Sequence, residues 1–273
     1  MLKRAIILTV VLGLVVALNP VAAAKPAVDN ENTLPDQDGV YDVPGHANLK
    51  LQVIVYHGKP AEKSAKPGPA PAPQLQCNLP DLDSSAVVAP AGWVMPASWT
   101  YRLNPSSVPA TVGKNNAATI AVNAFAQWNS AVNGAVSIMR LPDTSANRAQ
   151  YDGQNIIAWG RTSGTALATT YIWYDTSISP YKVMELDTIM NQKFSWAWAD
   201  PAVWQTSAGT TCAYQGVYDA QDILTHELGH WYGLNDEYTG DYVNNTMYGY
   251  GSPGQSNADT LTAGDILGVK ALY

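Results

Sequence analysis

The sequence predicts an α+β fold, in which one strand and a long helix precede a run of strands and a second helix. In residues 115–132 apolar side chains recur at mostly helical spacing, and Gly134 ends the pattern. Four segments after Gly134 have the apolar, β-branched and aromatic content of strands, and residues 220–232 return to helical spacing. This order favours a mixed sheet with helices packed against it.

Composition limits the classes of partner. The 273 residues suffice for one folded domain with an appendage, and a hydrophobic content of 47% is ample for a sizeable core. Charged residues make up 14% of the chain and the net charge is −7. Nucleic acid is therefore not an expected partner, because binding phosphate needs clustered Lys and Arg.

Residues 1–24 have the pattern of a signal peptide. Lys3 and Arg4 precede an apolar run over residues 5–18, and small residues lead up to Ala24. The run is shorter than the about 20 residues that a membrane-spanning helix needs, so we expect cleavage near Ala24 and no stable membrane insertion. The mature protein is then secreted, into a compartment where its two cysteines can oxidise.

Residues 25–76 are rich in Pro, Ala, Lys and Asp, which predicts a pro-segment or linker. Residues 49–56 alternate well enough to form a strand, which either pairs with the sheet of the main domain or belongs to a small pro-segment. We place the start of the main domain near Cys77, so that it spans residues 77–273.

The elements of this domain follow in order. Residues 99–104 are predicted to form the first strand, and residues 115–132 the long helix. The later strands are predicted at residues 135–141, 154–160, 167–174 and 183–191. The second helix is predicted at residues 220–232. One of its faces carries Ile223, Leu224, Leu228 and Trp231, directed away from two histidines.

Those histidines, His226 and His230, are four residues apart, so a helix presents both imidazoles to one point. Two neutral imidazoles suit zinc, which in catalytic sites keeps one position open for water. Glu227 follows the first histidine. Beside the metal but not bound to it, its carboxylate can accept a proton from water and pass it to a leaving amine.

A third ligand is predicted after the helix. Gly233 suits a left-handed helix terminus, and the reversed chain can bring Asp236 back to the metal. The two other histidines, His46 and His57, lie ahead of the predicted domain, so a carboxylate has to complete the set. Glu237 is the local competitor of Asp236.

The spacing H-E-x-x-H-x-x-G-x-x-D over residues 226–236 resembles the signature of metzincin zinc proteases, with Asp in place of the usual third His. Further segments resemble the matrixin branch in the same order, over about the last 175 residues. These segments are residues 100–103, 164–168, 187–191 and 261–273. The resemblance implies a twisted mixed sheet with a long backing helix, an active-site helix and a C-terminal helix.

The resemblance also implies where a substrate lies. Residues 164–168 resemble the edge strand above the cleft, so Leu167 and Ala168 become candidates for contacting an extended peptide that pairs with this edge. Met247 resembles the methionine of the Met-turn beneath the zinc ligands. Tyr248 and Tyr250 follow it and are candidates for walling the pocket for the side chain after the scissile bond.

Cys77 and Cys212 admit two interpretations. Residues 77–81 resemble the matrixin cysteine switch, C-x-x-P-D, in which a pro-segment thiolate blocks the zinc. Gln76 and Asn78, however, stand where the family has Arg and Gly, and a switch would leave Cys212 as a lone thiol in an oxidising compartment. We therefore predict a Cys77–Cys212 disulfide and keep the switch as the alternative.

Together these patterns predict a secreted monomeric zinc endopeptidase that acts on proteins or peptides through zinc-activated water, with Glu227 as general base and acid. The alternatives are a secreted, non-catalytic binding or adhesion module on the same fold, and a zinc peptidase or amidase restricted to cell-wall peptides. One catalytic zinc ion is expected. Calcium is a further candidate, although the aspartates that might bind it are scattered: Asp152, Asp175, Asp187, Asp200 and Asp219.

Overall fold

The computed structural model describes residues 34–58, 72–205 and 207–273. They form a mixed α/β structure with one large mixed sheet and four α-helices, in agreement with the predicted α+β class. The predicted signal peptide and most of the Pro-rich linker lie outside the described residues. Within the described ranges, no helix is long and apolar enough to cross a bilayer.

The elements match the predicted order closely. The helices are α1 (Ala117–Ala131), α2 (Pro201–Trp204), α3 (Ala220–Trp231) and α4 (Ala263–Lys270). The strands are β1 (Gly39–Asp42), β2 (Leu49–Gly58), β3 (Leu75–Pro80), β4 (Trp93–Val94), β5 (Ser98–Leu103), β6 (Ser137–Arg140), β7 (Ile156–Gly160), β8 (Ala166–Asp175), β9 (Tyr181–Asn191), β10 (Trp196–Ala197), β11 (Thr210–Tyr214), β12 (Tyr218–Asp219) and β13 (Tyr250–Gly251). Each predicted strand and helix is present, and its ends differ by a few residues at most.

The main sheet has the strand order β1-β2-β8-β9-β7-β5-β6, with β13 paired to β2 and β4 paired to β9. Strand β8 is antiparallel to both of its neighbours, whereas β9, β7, β5 and β6 run parallel to one another. Neighbouring parallel strands need a long crossover, and α1 provides the one between β5 and β6.

Strand β2 contains residues 49–56, which were expected either to pair with the main sheet or to belong to a small pro-segment. It pairs antiparallel with β8 from Leu49 opposite Asp175 to His57 opposite Ala166, so this segment belongs to the sheet of the main domain. The expectation that β8 is a free edge is therefore wrong for this structure. Strand β2 occupies the side of β8 that an extended substrate was expected to pair with.

Apolar cores lie on both faces of the sheet. Because side chains alternate along a strand, Val55 of β2 faces one core, whereas Ile54 and Tyr56 face the other. The larger core packs α1 and α3 against the sheet. Within it, the buried Trp128 of α1 donates from Nε1 to the carbonyl oxygen of Thr225 in α3 at 2.7 Å, which fixes the two helices against each other.

The predicted disulfide between Cys77 and Cys212 is confirmed. It joins β3 to β11, which also pair antiparallel. The bond spans 135 residues of sequence, and the loop-entropy model gives such a link about 5 kcal/mol of stability. Because Cys77 is not a free thiol, the cysteine-switch alternative does not hold in this structure. A disulfide is compatible with the predicted export to an oxidising compartment.

Asp259 is a buried carboxyl close to two others, Asp219 and Asp222. Its Oδ1 has no hydrogen-bond partner among the described residues. Burial, reinforced by the neighbouring carboxylates, raises the pKa of Asp259 well above its ordinary value. The folded state therefore keeps a proton that the unfolded chain loses above about pH 4, so the free energy of unfolding falls as the pH rises from there.

We expect Asp259→Asn, which is neutral at every pH, to raise the free energy of unfolding more at pH 8 than at pH 5. Urea unfolding at both pH values measures this. Asp241→Asn, at an exposed position, is the control and should change stability by no more than about 0.5 kcal/mol at either pH. A gain from Asp259→Asn that does not grow with pH would contradict the argument.

Candidate metal centre

Helix α3 begins and ends for local chemical reasons. Asp219 caps its start, because its Oδ1 accepts hydrogen bonds from the backbone N–H groups of Gln221 and Asp222 at 2.8 and 3.3 Å. Just after its end, Gly233 adopts a φ of 95°, and a Cβ there would lie 2.3 Å from the carbonyl oxygen of Trp93. Both the dihedral and the close approach require glycine, which confirms the predicted helix terminus.

The turn after Gly233 brings Asp236 back to α3. Asp236 Oδ1 lies 3.0 Å from Nε2 of His226 and 3.5 Å from Nε2 of His230. Ligand atoms of these three residues lie within 4.8 Å of one another, and no other group of three or more His, Cys, Asp or Glu residues in the described ranges is arranged to hold a metal ion. We call these three residues the His–His–Asp cluster.

Hydrogen bonds to the backbone orient both imidazoles. His226 Nδ1 lies 2.7 Å from the carbonyl oxygen of Thr246, and His230 Nδ1 lies 2.9 Å from that of Leu234. Because a carbonyl oxygen only accepts, each neutral imidazole carries its proton on Nδ1 and presents the lone pair of Nε2 to Asp236. This arrangement is typical of metal-binding histidines.

Four buried polar atoms at this site have no hydrogen-bond partner among the described residues: Nε2 of His226, Nε2 of His230, Oδ1 of Asp236 and Oε1 of Glu227. Unpartnered buried polar atoms are unfavourable, and a cation held by the first three removes that cost. Ligands at about 2.0–2.1 Å from a tetrahedral zinc ion lie about 3.3 Å apart. The observed separations of 3.0 and 3.5 Å therefore fit a small cation such as zinc.

Burial and mutual contact shift the pKa of each residue in the cluster. Burial lowers the pKa of His230 to about 4, which keeps this imidazole neutral. Burial also disfavours the charged form of His226, but the carboxylate of Asp236 beside Nε2 outweighs it and raises that pKa. The pKa of Asp236 is lowered, because the two imidazoles outweigh the opposing effect of burial. Asp236 is therefore an ionised carboxylate.

The structure also distinguishes Asp236 from Glu237. Oδ2 of Asp236 accepts a hydrogen bond from the hydroxyl of Tyr238 at 3.0 Å, which directs Oδ1 towards the histidines. Oε1 of Glu237 instead accepts a hydrogen bond from the backbone N–H of Ala89 at 3.0 Å. Glu237 therefore has a partner outside the cluster, in keeping with the predicted preference for Asp236.

Glu227 is fully buried beside the cluster, and burial is the main cause that raises its pKa to about 7. Its Oε2 accepts a hydrogen bond from Thr170 Oγ1 at 2.5 Å. Thr170 Oγ1 lies 2.6 Å from Thr188 Oγ1, which accepts from Trp231 Nε1 at 2.9 Å. Since the indole only donates and the carboxylate only accepts, the direction of each hydrogen bond is fixed. Trp231 donates to Thr188, Thr188 donates to Thr170, and Thr170 donates to Glu227.

No pattern in the sequence predicts this series of hydrogen bonds. Thr170 and Thr188 belong to predicted strands, but only the pairing of β8 with β9 places them opposite each other. These hydrogen bonds hold Oε2 of Glu227 in place, while Oε1 has no partner among the described residues.

Met247 is fully buried against α3 at Gly229, in the turn between the two histidines. A Cβ on Gly229 would lie 2.1 Å from Met247 Sδ and 2.7 Å from Cζ2 of Trp128. Asp265 of α4 accepts hydrogen bonds from the backbone N–H groups of Thr246 and Met247 at 2.9 and 3.3 Å, which holds the methionine segment in place. The Met-turn interpretation itself stays a prediction.

The four candidates for a substrate pocket divide into two pairs. Tyr248 and Tyr250 line a cavity of about 310 Å³, together with Tyr56 of β2. Leu167 and Ala168 of β8 are fully buried. Ala168 pairs with Tyr56, so β2 covers this part of β8.

Tyr56 also covers one face of a cluster histidine, which sequence analysis did not anticipate. Its ring is stacked on that of His226, with centroids 3.6 Å apart and an interplanar angle of 13°. The next residue, His57, lies in β2, with Nε2 3.5 Å from Oδ2 of Asp38. The expectation that His57 precedes the folded domain is wrong, because β2 is part of the main sheet. The sequence pattern that indicates this strand is the alternation of apolar and polar side chains over residues 49–56.

All five aspartates considered for calcium accept hydrogen bonds from backbone N–H groups, and two of them, Asp187 and Asp219, are buried. Asp187 accepts hydrogen bonds from the N–H groups of Gln150 and Ile156, both at 2.9 Å, and Asp219 caps α3. These hydrogen bonds give both buried carboxylates a structural role. A calcium site stays a prediction.

The sequence matches no protein-family model and no curated protein.

We expect Gly229→Ala to lower the free energy of unfolding by about 1–3 kcal/mol, because the added methyl group overlaps Met247 Sδ and the ring of Trp128. Gly240→Ala is the matched control. A Cβ on Gly240 meets nothing within 4 Å, so its effect should stay within about 0.5 kcal/mol. Urea unfolding compares the two, and equal effects would show that Met247 does not pack against α3 as described.

We expect Asp236→Ala to reduce zinc affinity by more than about 100-fold, the upper end of the loss caused by removing a partner that only orients a ligand. Glu237→Ala should bind zinc as the wild type does, because Glu237 has its partner at Ala89. Competition against a chromophoric chelator measures both. Loss of affinity in Glu237→Ala alone would assign the third ligand to Glu237, and retention in both variants would place it elsewhere.

Proposed function

We propose that this chain is a secreted zinc-dependent endopeptidase of the matrixin-like metzincin type. The observation that carries the proposal is the convergence of two imidazole nitrogens, one carboxylate oxygen and the unpartnered Oε1 of Glu227 in one buried site. His226, His230 and Asp236 would hold the ion, and Glu227 would stay beside it without binding it.

A bound zinc ion polarises a carbonyl group and lowers the pKa of water. Glu227 carries out the proton transfers, because its carboxylate lies beside the cluster and its Oε1 has no hydrogen-bond partner among the described residues. Thr170 occupies Oε2, so Oε1 is the oxygen that takes a proton from water and gives it to the leaving amine. The hydrogen-bond chain through Thr188 to Trp231 keeps the carboxylate in one orientation during both transfers.

Strand β8 and the tyrosine-lined cavity are the parts suited to binding a protein or peptide substrate. Strand β8 has the main-chain geometry to pair with an extended segment, since β2 pairs with it in this way. Such pairing tolerates varied sequences. Tyr248 and Tyr250 would wall the pocket for the side chain after the scissile bond, in the cavity of about 310 Å³.

Two features favour turnover over a non-catalytic binding module. The buried carboxylate of Glu227 is unfavourable to keep without a partner on Oε1, and a module that only binds gains nothing from it. The resemblance of residues 226–236 to the metzincin signature assigns the same residue the role of general base.

We expect Glu227→Gln to lower peptide hydrolysis by at least about 100-fold, the low end of general acid–base contributions, while zinc content stays near wild type. Glutamine keeps the volume and the hydrogen bond from Thr170 but cannot take the proton. Because Tyr56 covers His226, the assay uses the wild-type and Tyr56→Ala chains, each with and without Glu227→Gln. A peptide library with mass-spectrometric readout, with and without chelator, gives the rates.

Two outcomes would contradict the proposal. Wild-type rates in the metal-loaded Glu227→Gln chain would remove Glu227 from the mechanism. Absence of chelator-sensitive cleavage in a zinc-loaded Tyr56→Ala chain would contradict peptidase activity altogether.

A further inference from the structure

Strand β2 lies between two segments that flank the His–His–Asp cluster. On one side it pairs antiparallel with β8, from Leu49 to His57. It also pairs in parallel with β13, where His57 and Gly58 lie opposite Tyr250 and Gly251. A strand held by main-chain pairing to β8 and to the segment after Met247 follows the path that the proposed peptidase would give an extended peptide.

The C-terminal end of β2 packs closely against neighbouring side chains. A Cβ on Gly58 would lie 2.8 Å from the hydroxyl of Tyr218, and one on Gly251 would lie 2.8 Å from Cδ1 of Leu167 and 3.2 Å from the hydroxyl of Tyr56. The two glycines therefore lie close against the side chains of Tyr218, Leu167 and Tyr56 where β2 passes beside β13.

The inward face of β2 seals the cluster. Ile54 and Tyr56 belong to the core that contains α3, and the ring of Tyr56 is stacked on His226. His226, Glu227 and His230 have no exposed surface, and the side chain of Asp236 is 5% exposed. With β2 in place, Tyr56 covers one face of His226, and neither the two histidines nor Glu227 is open to solvent.

The outer edge of β2 is only partly covered beside the cluster. In the described part of the chain, β1 pairs with residues 50–53 and β13 pairs with residues 57–58, which leaves residues 54–56 without a strand on that side. The N–H of Val55 donates instead to Oδ1 of Asp38 at 2.8 Å. Residues 54–56 are therefore held mainly by β8 and by the packing of Ile54 and Tyr56.

We propose that β2 occupies in cis a peptide-binding channel formed by β8 and β13, and that the channel binds an extended peptide in trans when β2 is displaced. The consequence for catalysis rests on the proposed function: the chain with β2 in place is self-inhibited, and displacement of β2 exposes Glu227 and the cluster. The binding of a strand to the channel does not depend on any catalytic activity.

The test weakens β2 within the full-length chain. The N–H of Val55 points to Asp38, so by the alternation of a strand the N–H of Ile54 points to β8, where Ile54 pairs with Thr170. Ile54→Pro removes that donor. Tyr56→Ala leaves the backbone intact and removes the ring over His226. Val40→Pro is the matched control, because Val40 is exposed on β1 and pairs with Gln52 on the far side from β8.

The probe is a fluorescein-labelled peptide with the sequence of residues 49–58, and its binding is measured by fluorescence anisotropy. We expect Ile54→Pro and Tyr56→Ala to bind it at least about 10-fold more tightly than the wild type, and Val40→Pro to bind as the wild type does. The same peptide with proline in place of Ile54 lacks the donor towards β8 and should bind to none of them. Hydrogen exchange at the backbone amides of β8 should speed up in Ile54→Pro and slow again when the peptide is added.

Peptide binding and hydrolysis separate the two proposals. If the variants gain peptide binding and also cleave a peptide library at least about 10-fold faster, both proposals are supported. If they gain binding but show no cleavage when loaded with zinc, the channel is supported and the proposed function is contradicted. If neither variant gains binding, or if the proline-substituted peptide binds equally well, β2 is an ordinary strand of the sheet and the inference is overturned.

Discussion

The reversal of the chain at Gly233 is the constraint on which the rest of the site depends. A helix alone can bring His226 and His230 together, but their Nε2 atoms would face only each other. The left-handed backbone at Gly233, packed against the carbonyl oxygen of Trp93, returns the chain so that Asp236 Oδ1 lies 3.0 and 3.5 Å from the two nitrogens. The same turn places the carbonyl oxygen of Leu234 against His230 Nδ1, which sets the tautomer of that ring.

The site could be predicted from sequence where its parts are close along the chain. The spacing of two histidines, the glycine and the aspartate fixes their geometry through the helix and one turn, so residues 226–236 carry almost all of the information. The long helix and the strands were also predictable, because apolar periodicity reports which face is buried. The disulfide followed from there being two cysteines and an expected oxidising compartment, and β3 and β11 bring these two residues together.

The parts that could not be predicted depend on contacts between distant segments. Thr170 approaches Glu227 only because β8 crosses α3, and nothing in its local sequence indicates that contact. The alternation of residues 49–56 predicts a strand but not its neighbour, because the register of a strand is set by the surface that it joins. Tyr56 therefore lies on His226 for a reason that is visible only once β2 has paired with β8. That pairing turns the expected open cleft into a covered one.

Zinc K-edge X-ray absorption on the full-length protein, loaded with one equivalent of zinc, tests the central claim that the His–His–Asp cluster is a zinc site. A zinc ion held by the cluster should show nitrogen and oxygen ligands at about 2.0–2.2 Å, the multiple-scattering pattern of two imidazoles, and no sulfur at about 2.3 Å. In Asp236→Ala less zinc should stay bound, so the multiple-scattering signal of the two imidazoles should weaken. A first shell that contains sulfur, or a shell of oxygen ligands without two imidazoles, would contradict the account.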